Sequence, residues 1–98
     1  MSDAEDVNWE DVGFVIASSY RVGVMRHLTD DGESIPSHIA EETGMGISRV
    51  SRALGELRER GLVELLVPDE TRKGRIYGAT DRGDRATEQL ENAGGACV

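Results

Sequence analysis

Apolar residues in the middle of the chain recur at helical spacing. Val50, Ala53, Leu54 and Leu57 fall at i, i+3, i+4 and i+7, the stripe of an amphipathic α-helix. The stripe predicts a helix from Ile47 to Arg60. Its other face holds Ser48, Arg49, Ser51, Arg52 and Gly55, side chains that are short, or long and cationic, and face away from a core. Thr43-Gly44-Met45-Gly46 predicts a break just before it. Pro36 opens a shorter helix that turns Ile39 and Ala40 inward. Proline costs nothing in a first turn, where the missing N–H has no helical partner. Ile35 to Gly61 therefore reads as two helices and a tight turn, about which the rest of the chain is organised.

Residues 1–6 are charged, small and without pattern, and are expected to be disordered. Trp9 to Ile16 predicts a short amphipathic helix with Trp9, Val12 or Gly13, and Ile16 sharing one face. Ser18 or Ser19 then caps a helix whose stripe is Tyr20, Val24, Met25 and Leu28. Asp30-Asp31-Gly32 ends it with a turn signal. Glu33-Ser34-Ile35 is a candidate short strand. Leu62 to Val67 predicts a strand, 68–74 a turn-rich loop, and Arg75 to Ala79 a return strand. Thr80 is a good N-cap for a last helix from Asp81 to Asn92, whose early acids Asp81 and Asp84 suit the positive end of the helix dipole. The Gly-rich 93–98 is expected to fray as a flexible tail. The fold class is mainly α with a small β-hairpin (α+β). One domain spans 7–92, divided into the helix pair (35–61), the hairpin (62–79) and the C-terminal helix (80–92).

A helix pair joined by a Gly-containing turn, with an Arg-bearing second helix, suggests a helix-turn-helix reading head. Three stretches extend that pattern: PSHIAEETGM, SRVSRALGELRERGLV and GRIYGATDRG. Together they resemble the winged helix-turn-helix regulators of the MarR and ArsR type, small archaeal versions most of all, including phage-repressor-like regulators of halophilic archaea. The resemblance covers roughly Ser18 to Leu90. It implies that the 62–79 hairpin is a wing and that the first and last helices dimerise. One departure stands out. Ile35 occupies a position where such proteins usually offer a Ser or Thr cap, which either weakens the helix start or passes the capping role to Ser34. Gly46 stands likewise at the cap of the second helix, where glycine is tolerated at small cost.

Charge complicates this picture. The formal net charge is -8, from 19 acidic and 11 basic residues, whereas nucleic-acid binding usually leaves a basic footprint. The acids are unevenly placed. Residues 1–33 carry eight of them against Arg21 and Arg26, while cations outnumber acids in 67–82. The deficit thus lies away from the candidate reading head and wing. Lys73 is the only lysine, and acid-rich, Lys-poor surfaces resemble proteins of salt-loading cells. Molar salt screens charges within roughly 3 Å, so acidic self-repulsion costs little there. Aromatics are confined to Trp9, Phe14, Tyr20 and Tyr77, leaving the core to Val, Ile, Leu and Met. A chain of this size buries only about two-thirds of its unfolded surface, and a second copy would complete its core.

The second helix is narrow enough for the major groove, whose base edges present distinguishable hydrogen-bonding patterns. Arg49 and Arg52 can bond guanine or phosphate, and Ser48 and Ser51 bases or phosphates. Arg72, Lys73 and Arg75 cluster at the wing tip, where phosphate contacts would add affinity without reading sequence. Ser37 and His38, on the first helix of the pair, are weaker candidates for backbone contact. Arg58 and Arg60 are read as partners of Glu56 and Glu59, or as charges favourable at a helix C-terminus. Read otherwise, each of these cations merely solubilises an exposed face. His27, His38 and Cys97 lack ligand-like spacing, so no metal is expected. No nucleophile–base set and no phosphate-binding Gly loop is visible, so neither an enzyme nor a cofactor is expected. A lone cysteine, an acidic N-terminus without an apolar segment and no run near the ~20 apolar residues of a membrane span fit the cytoplasm.

The function implied is a sequence-specific, double-stranded DNA-binding transcriptional regulator, a homodimer and a repressor. The alternative is a winged-helix protein-interaction module without direct base readout.

Overall fold

A computed structural model describes residues 8–68, 70 and 74–97. Helices α1 (Trp9–Ile16), α2 (Ser19–Asp31), α3 (Pro36–Thr43) and α4 (Ile47–Glu59) come first. Strands β1 (Val63–Leu65) and β2 (Tyr77–Ala79) follow, then α5 (Asp81–Cys97). The strands are antiparallel, with Val63 opposite Ala79, Glu64 opposite Gly78 and Leu65 opposite Tyr77. An isolated bridge joins Ser34 to Tyr77, through hydrogen bonds of 3.0 and 2.8 Å. The segment before Pro36 therefore lies along the wing as a single paired residue.

Local chemistry accounts for the boundaries. Asn8 Oδ1 accepts from the amides of Glu10 and Asp11 to cap α1, and Ser18 Oγ accepts from Arg21 N to cap α2. Thr80 Oγ1 accepts from Gly83 N and donates to Gly61 O at 2.7 Å, so the predicted cap of α5 also ties it to the end of α4. The start of α3 has no side-chain cap. Ser34 does not take that role, because its hydroxyl turns to Ile35 O. Gly44 closes α3 at φ 77°, a left-handed conformation that glycine adopts without the Cβ clash other residues meet. It makes the turn between α3 and α4 tight.

The core gathers one face of every element. Val24, Met25 and Leu28 of α2 meet Ile39 of α3, the whole predicted stripe of α4, Leu62, Val63 and Tyr77 of the wing, and Ala86 and Leu90 of α5. Tyr20 is only partly buried, and His27 is buried in its place. α1 buries Asp11, Val12 and Val15, whereas Trp9 and Ile16 are 60% and 56% exposed, so the face that those two share is turned out. Two other expectations are corrected. The strands are shorter than 62–67 and 75–79, because the ladder stops after the Leu66–Ile76 hydrogen bond. α5 runs to Cys97, past the expected end at Asn92. No proline stops it, and Gly94 and Gly95 weaken a helix by roughly 1 kcal/mol each relative to alanine without forbidding it.

Asp11 is 1% exposed. Arg60 Nε donates to its Oδ1 at 3.1 Å, and Arg82 donates to both oxygens, with Nη2 at 3.0 Å from Oδ1. Arg60, read as a partner of Glu56 and Glu59, instead reaches back to α1, where Glu10 adds a second carboxylate at 3.7 Å. One carboxylate thus joins α1, the end of α4 and the start of α5. Burial pushes its pKa up, but hydrogen bonds and charge from Arg82 and Arg60 outweigh that and hold it below the usual aspartate value. A depressed folded-state pKa contributes stability above the unfolded value, near about 3.9, that is lost as pH falls through the folded one.

Two outcomes test these contacts. Asp11→Asn should cost about 2 kcal/mol at pH 7, the scale of hydrogen bonds to charged groups, and the gap to wild type should narrow as pH falls below about 4. Urea melts at several pH values would read both. A Cβ on buried Gly83 would lie 2.0 Å from Leu62 O and 3.0 Å from the Leu62 carbonyl carbon. Because backbone cannot yield as a side chain can, Gly83→Ala should cost about 3 kcal/mol, seen in the same melts.

Candidate nucleic-acid interface

α4 has one face wholly buried and the other wholly free of the core. Ser48, Arg49, Ser51 and Arg52 are exposed on its outer face, as the periodicity predicts. Ile47, at the start of the helix, is 52% exposed. Gly55 meets no atom within 4 Å of an added Cβ, so no helix among the described residues packs there.

Two of these arginines are held. Arg49 Nη1 donates to Tyr20 Oη at 3.1 Å, and its guanidinium carbon lies 5.1 Å from the Tyr20 ring centroid. Arg52 Nε is 3.6 Å from Glu56 Oε2 one turn along α4. The other oxygen of Glu56 accepts from Arg21 Nε at 3.1 Å. Arg21 also donates to Phe14 O at 2.7 Å and lies 3.9 Å over the Phe14 ring. These contacts frame a cleft of about 520 Å³ between the start of α2 and the outer face of α4, with Ser18, Tyr20, Arg21, Ser48, Arg49 and Arg52 among its lining residues.

The remaining candidates are less closely grouped. Ser37 is exposed in the first turn of α3. His38 is exposed on the same helix and meets the His27 ring edge-on, with centroids 5.4 Å apart. His27 Nδ1 is 3.3 Å from Asp31 Oδ2, and its buried Nε2 has no hydrogen-bond partner among the described residues. Among the described residues no group of three or more His, Cys, Asp or Glu side chains is placed to hold a metal ion. Arg75 precedes β2 and is half-buried. Arg72 and Lys73 lie outside the described residues.

Sequence reasoning missed Ser18, Tyr20, Arg21 and Ile47 as parts of this surface. Tyr20 was assigned to the core because it falls on the α2 stripe. Its signal was the hydroxyl, which a half-buried tyrosine usually directs to a polar partner.

Helix polarity adds a field. α1 and α5 carry acids in their first turns, Glu10 and Asp11 in one and Asp81 and Asp84 in the other. α2, α3 and α4 carry none. The positive ends of the helices beside the candidate surface are therefore unneutralised.

No family model and no curated protein matches the sequence. Solved structures do. The MarR family regulator NMB1585 from Neisseria meningitidis matches with a TM-score of 0.71 and 21% identity, over 87% of this chain and 60% of that one. The YusO protein from Bacillus subtilis matches with a TM-score of 0.76 and 22% identity, over 90% and 62%. A third match is the homodimeric winged helix-turn-helix DNA-binding domain of Mb0332 from Mycobacterium bovis, a possible ArsR-family transcriptional regulator. Its TM-score is 0.63 at 24% identity, over 99% of this chain and 87% of that one. The fold is thus a winged helix-turn-helix, shared with structures of MarR-family and ArsR-family regulators. The chain spans about 60% of the length of the NMB1585 and YusO structures. No helix among its described residues is long and apolar enough to cross a membrane.

If the outer face of α4 serves binding rather than folding, Ile47→Ala and Ser51→Ala should each change stability by no more than about 0.5 kcal/mol, the range of ordinary surface substitutions. Urea unfolding of the two variants measures this. A larger loss would mean that this face supports the fold.

Proposed function

We propose that the protein binds double-stranded DNA sequence-specifically and regulates transcription, as a repressor, from a homodimer in the cytoplasm. The observation that carries this reading is the outer face of α4. It sets Ser48, Arg49, Ser51 and Arg52 in solvent on a helix whose opposite face is fully buried. A rigid helix of that kind can enter the major groove, where an arginine gives two hydrogen bonds to guanine. Ile47 adds an apolar group suited to a thymine methyl. Arg72, Lys73 and Arg75 of the wing, and Ser37 and His38 of α3, supply backbone contacts that position the reading helix.

The exposed Trp9 and Ile16 of α1 suit burial against a second copy, together with α5. A two-fold dimer would present its reading helices to half-sites about one helical turn apart. Repression follows from obstruction of the promoter and requires no activating domain.

The net charge of -8 favours a second reading, a winged-helix module that binds protein. The two readings separate in a titration of a labelled duplex from the protein's own upstream region against scrambled competitor, from about 0.2 M to 3 M KCl. Counterion release weakens a basic binder steeply as salt rises. Cation uptake by this acidic chain should flatten that slope, with preference for the upstream duplex kept. Arg49→Ala combined with Arg52→Ala should lower affinity on the order of hundredfold, from the roughly 1.5–3 kcal/mol of each hydrogen bond to a charged group, with the fold intact by circular dichroism. Equal binding to both duplexes, or none, would favour the protein-binding module.

A further inference from the structure

The cleft between the start of α2 and the outer face of α4 is lined by more cation than its surroundings explain. Arg21, Arg49 and Arg52 face it, against the single carboxylate of Glu56, in a chain where acids outnumber bases 19 to 11. Glu56 is already shared by Arg21 and Arg52, so it cannot neutralise both. Arg49 has no carboxylate partner in the contacts described above. Its fixed contact is the neutral Tyr20 hydroxyl, which holds the guanidinium in place without spending its charge. The hydroxyls of Ser18, Tyr20 and Ser48 line the same space. A cleft with surplus guanidinium charge, hydroxyl donors and a pre-oriented arginine is complementary to a tetrahedral oxyanion.

We propose that this cleft seats one phosphate of the DNA backbone, so that Ser18, Tyr20 and Arg21 at the start of α2 belong to the DNA interface. The proposal rests on the DNA-binding reading above and extends it from α4 to α2. Arg49 and Arg21 contact the phosphate oxygens. Tyr20 is a positioning residue that orients Arg49. The contact clamps the duplex against the reading helix and is indifferent to base sequence. It also separates the roles on α4. Arg49, drawn toward α2 by Tyr20, sits on the backbone, which leaves base readout to Ile47, Ser51 and Arg52.

The test exploits the cap of α2. Ser18 lines the cleft and accepts from Arg21 N, and Asp and Asn cap helices as well as Ser does. Ser18→Asp would keep the helix start and place a carboxylate where the phosphate sits, whereas Ser18→Asn would keep it and add no charge. Both should melt close to wild type. On the upstream duplex and on scrambled duplex alike, Ser18→Asp should weaken binding about tenfold relative to Ser18→Asn. Its log affinity should depend less steeply on log salt, by about 0.9 for one lost phosphate on duplex DNA. Tyr20→Phe should weaken both duplexes by the same factor, because orientation of a backbone contact carries no sequence information.

If wild type binds the duplex and Ser18→Asp binds as Ser18→Asn does, the seat is overturned while the regulator reading stands. If wild type binds no DNA, both fall. Inorganic phosphate provides the remaining arm. If millimolar phosphate at matched ionic strength raises the melting temperature of wild type but not of Ser18→Asp, and duplex binding is equal in both, the cleft serves a free anion and the DNA assignment is overturned.

Discussion

A buried carboxylate organises the molecule. Asp11 is enclosed by α1, the end of α4 and the start of α5, and it is tolerated there because two guanidiniums meet both of its oxygens. An unpaired buried charge would be prohibitive. Arg60 and Arg82 keep part of their own surface in water, which lowers the desolvation cost that makes fully buried ion pairs poor stabilisers. The arrangement fixes where α1 lies relative to the exit of α4. It also links the proposed dimer elements, α1 and α5, to α4 through hydrogen bonds rather than apolar contact alone. A shift of α1 against α5 would therefore be felt at the end of α4.

The same economy of charge governs the surface. Several arginines pair with carboxylates of other elements: Arg21 with Glu56, Arg26 with Glu91 at 2.8 Å, Arg60 and Arg82 with Asp11. Each pair holds two elements together in a chain with few aromatics. Arg49 differs in resting on a tyrosine. The local excess of positive charge thus falls beside α4 even though the chain as a whole is acidic. Net charge describes long-range attraction and solubility, whereas a groove contact of a few ångström responds to the charges that line it.

Much of the fold was legible in the chain because its signals are local. The α4 stripe, the break at Gly44 and the Ser18 and Thr80 caps each depend on residues within a turn or two of one another, and each strand of the hairpin is patterned within itself. The packing of α1 was illegible for the opposite reason. That helix has apolar residues on both sides, and hydrophobicity alone favours Trp9 and Ile16 over Asp11. The partners that let Asp11 be buried lie 49 and 71 residues away. The cleft was illegible in the same way. Tyr20 and Arg49 are 29 residues apart, and Arg21 and Glu56 are 35 apart. Periodicity assigned Tyr20 to the core, and local spacing paired Arg60 with glutamates on its own helix.

Sequence alone determined the order of elements, the buried face of α4 and the set of side chains that α4 exposes. Helical and strand periodicity are properties of neighbouring residues, and burial of an apolar stripe needs no knowledge of what covers it. Only the tertiary structure decided which face of α1 is inside, which carboxylate each arginine holds, and that the start of α2 stands beside α4. Those outcomes depend on long side chains meeting groups far off in the chain. The energy of such contacts comes from distance and desolvation, which exist only once the helices are packed.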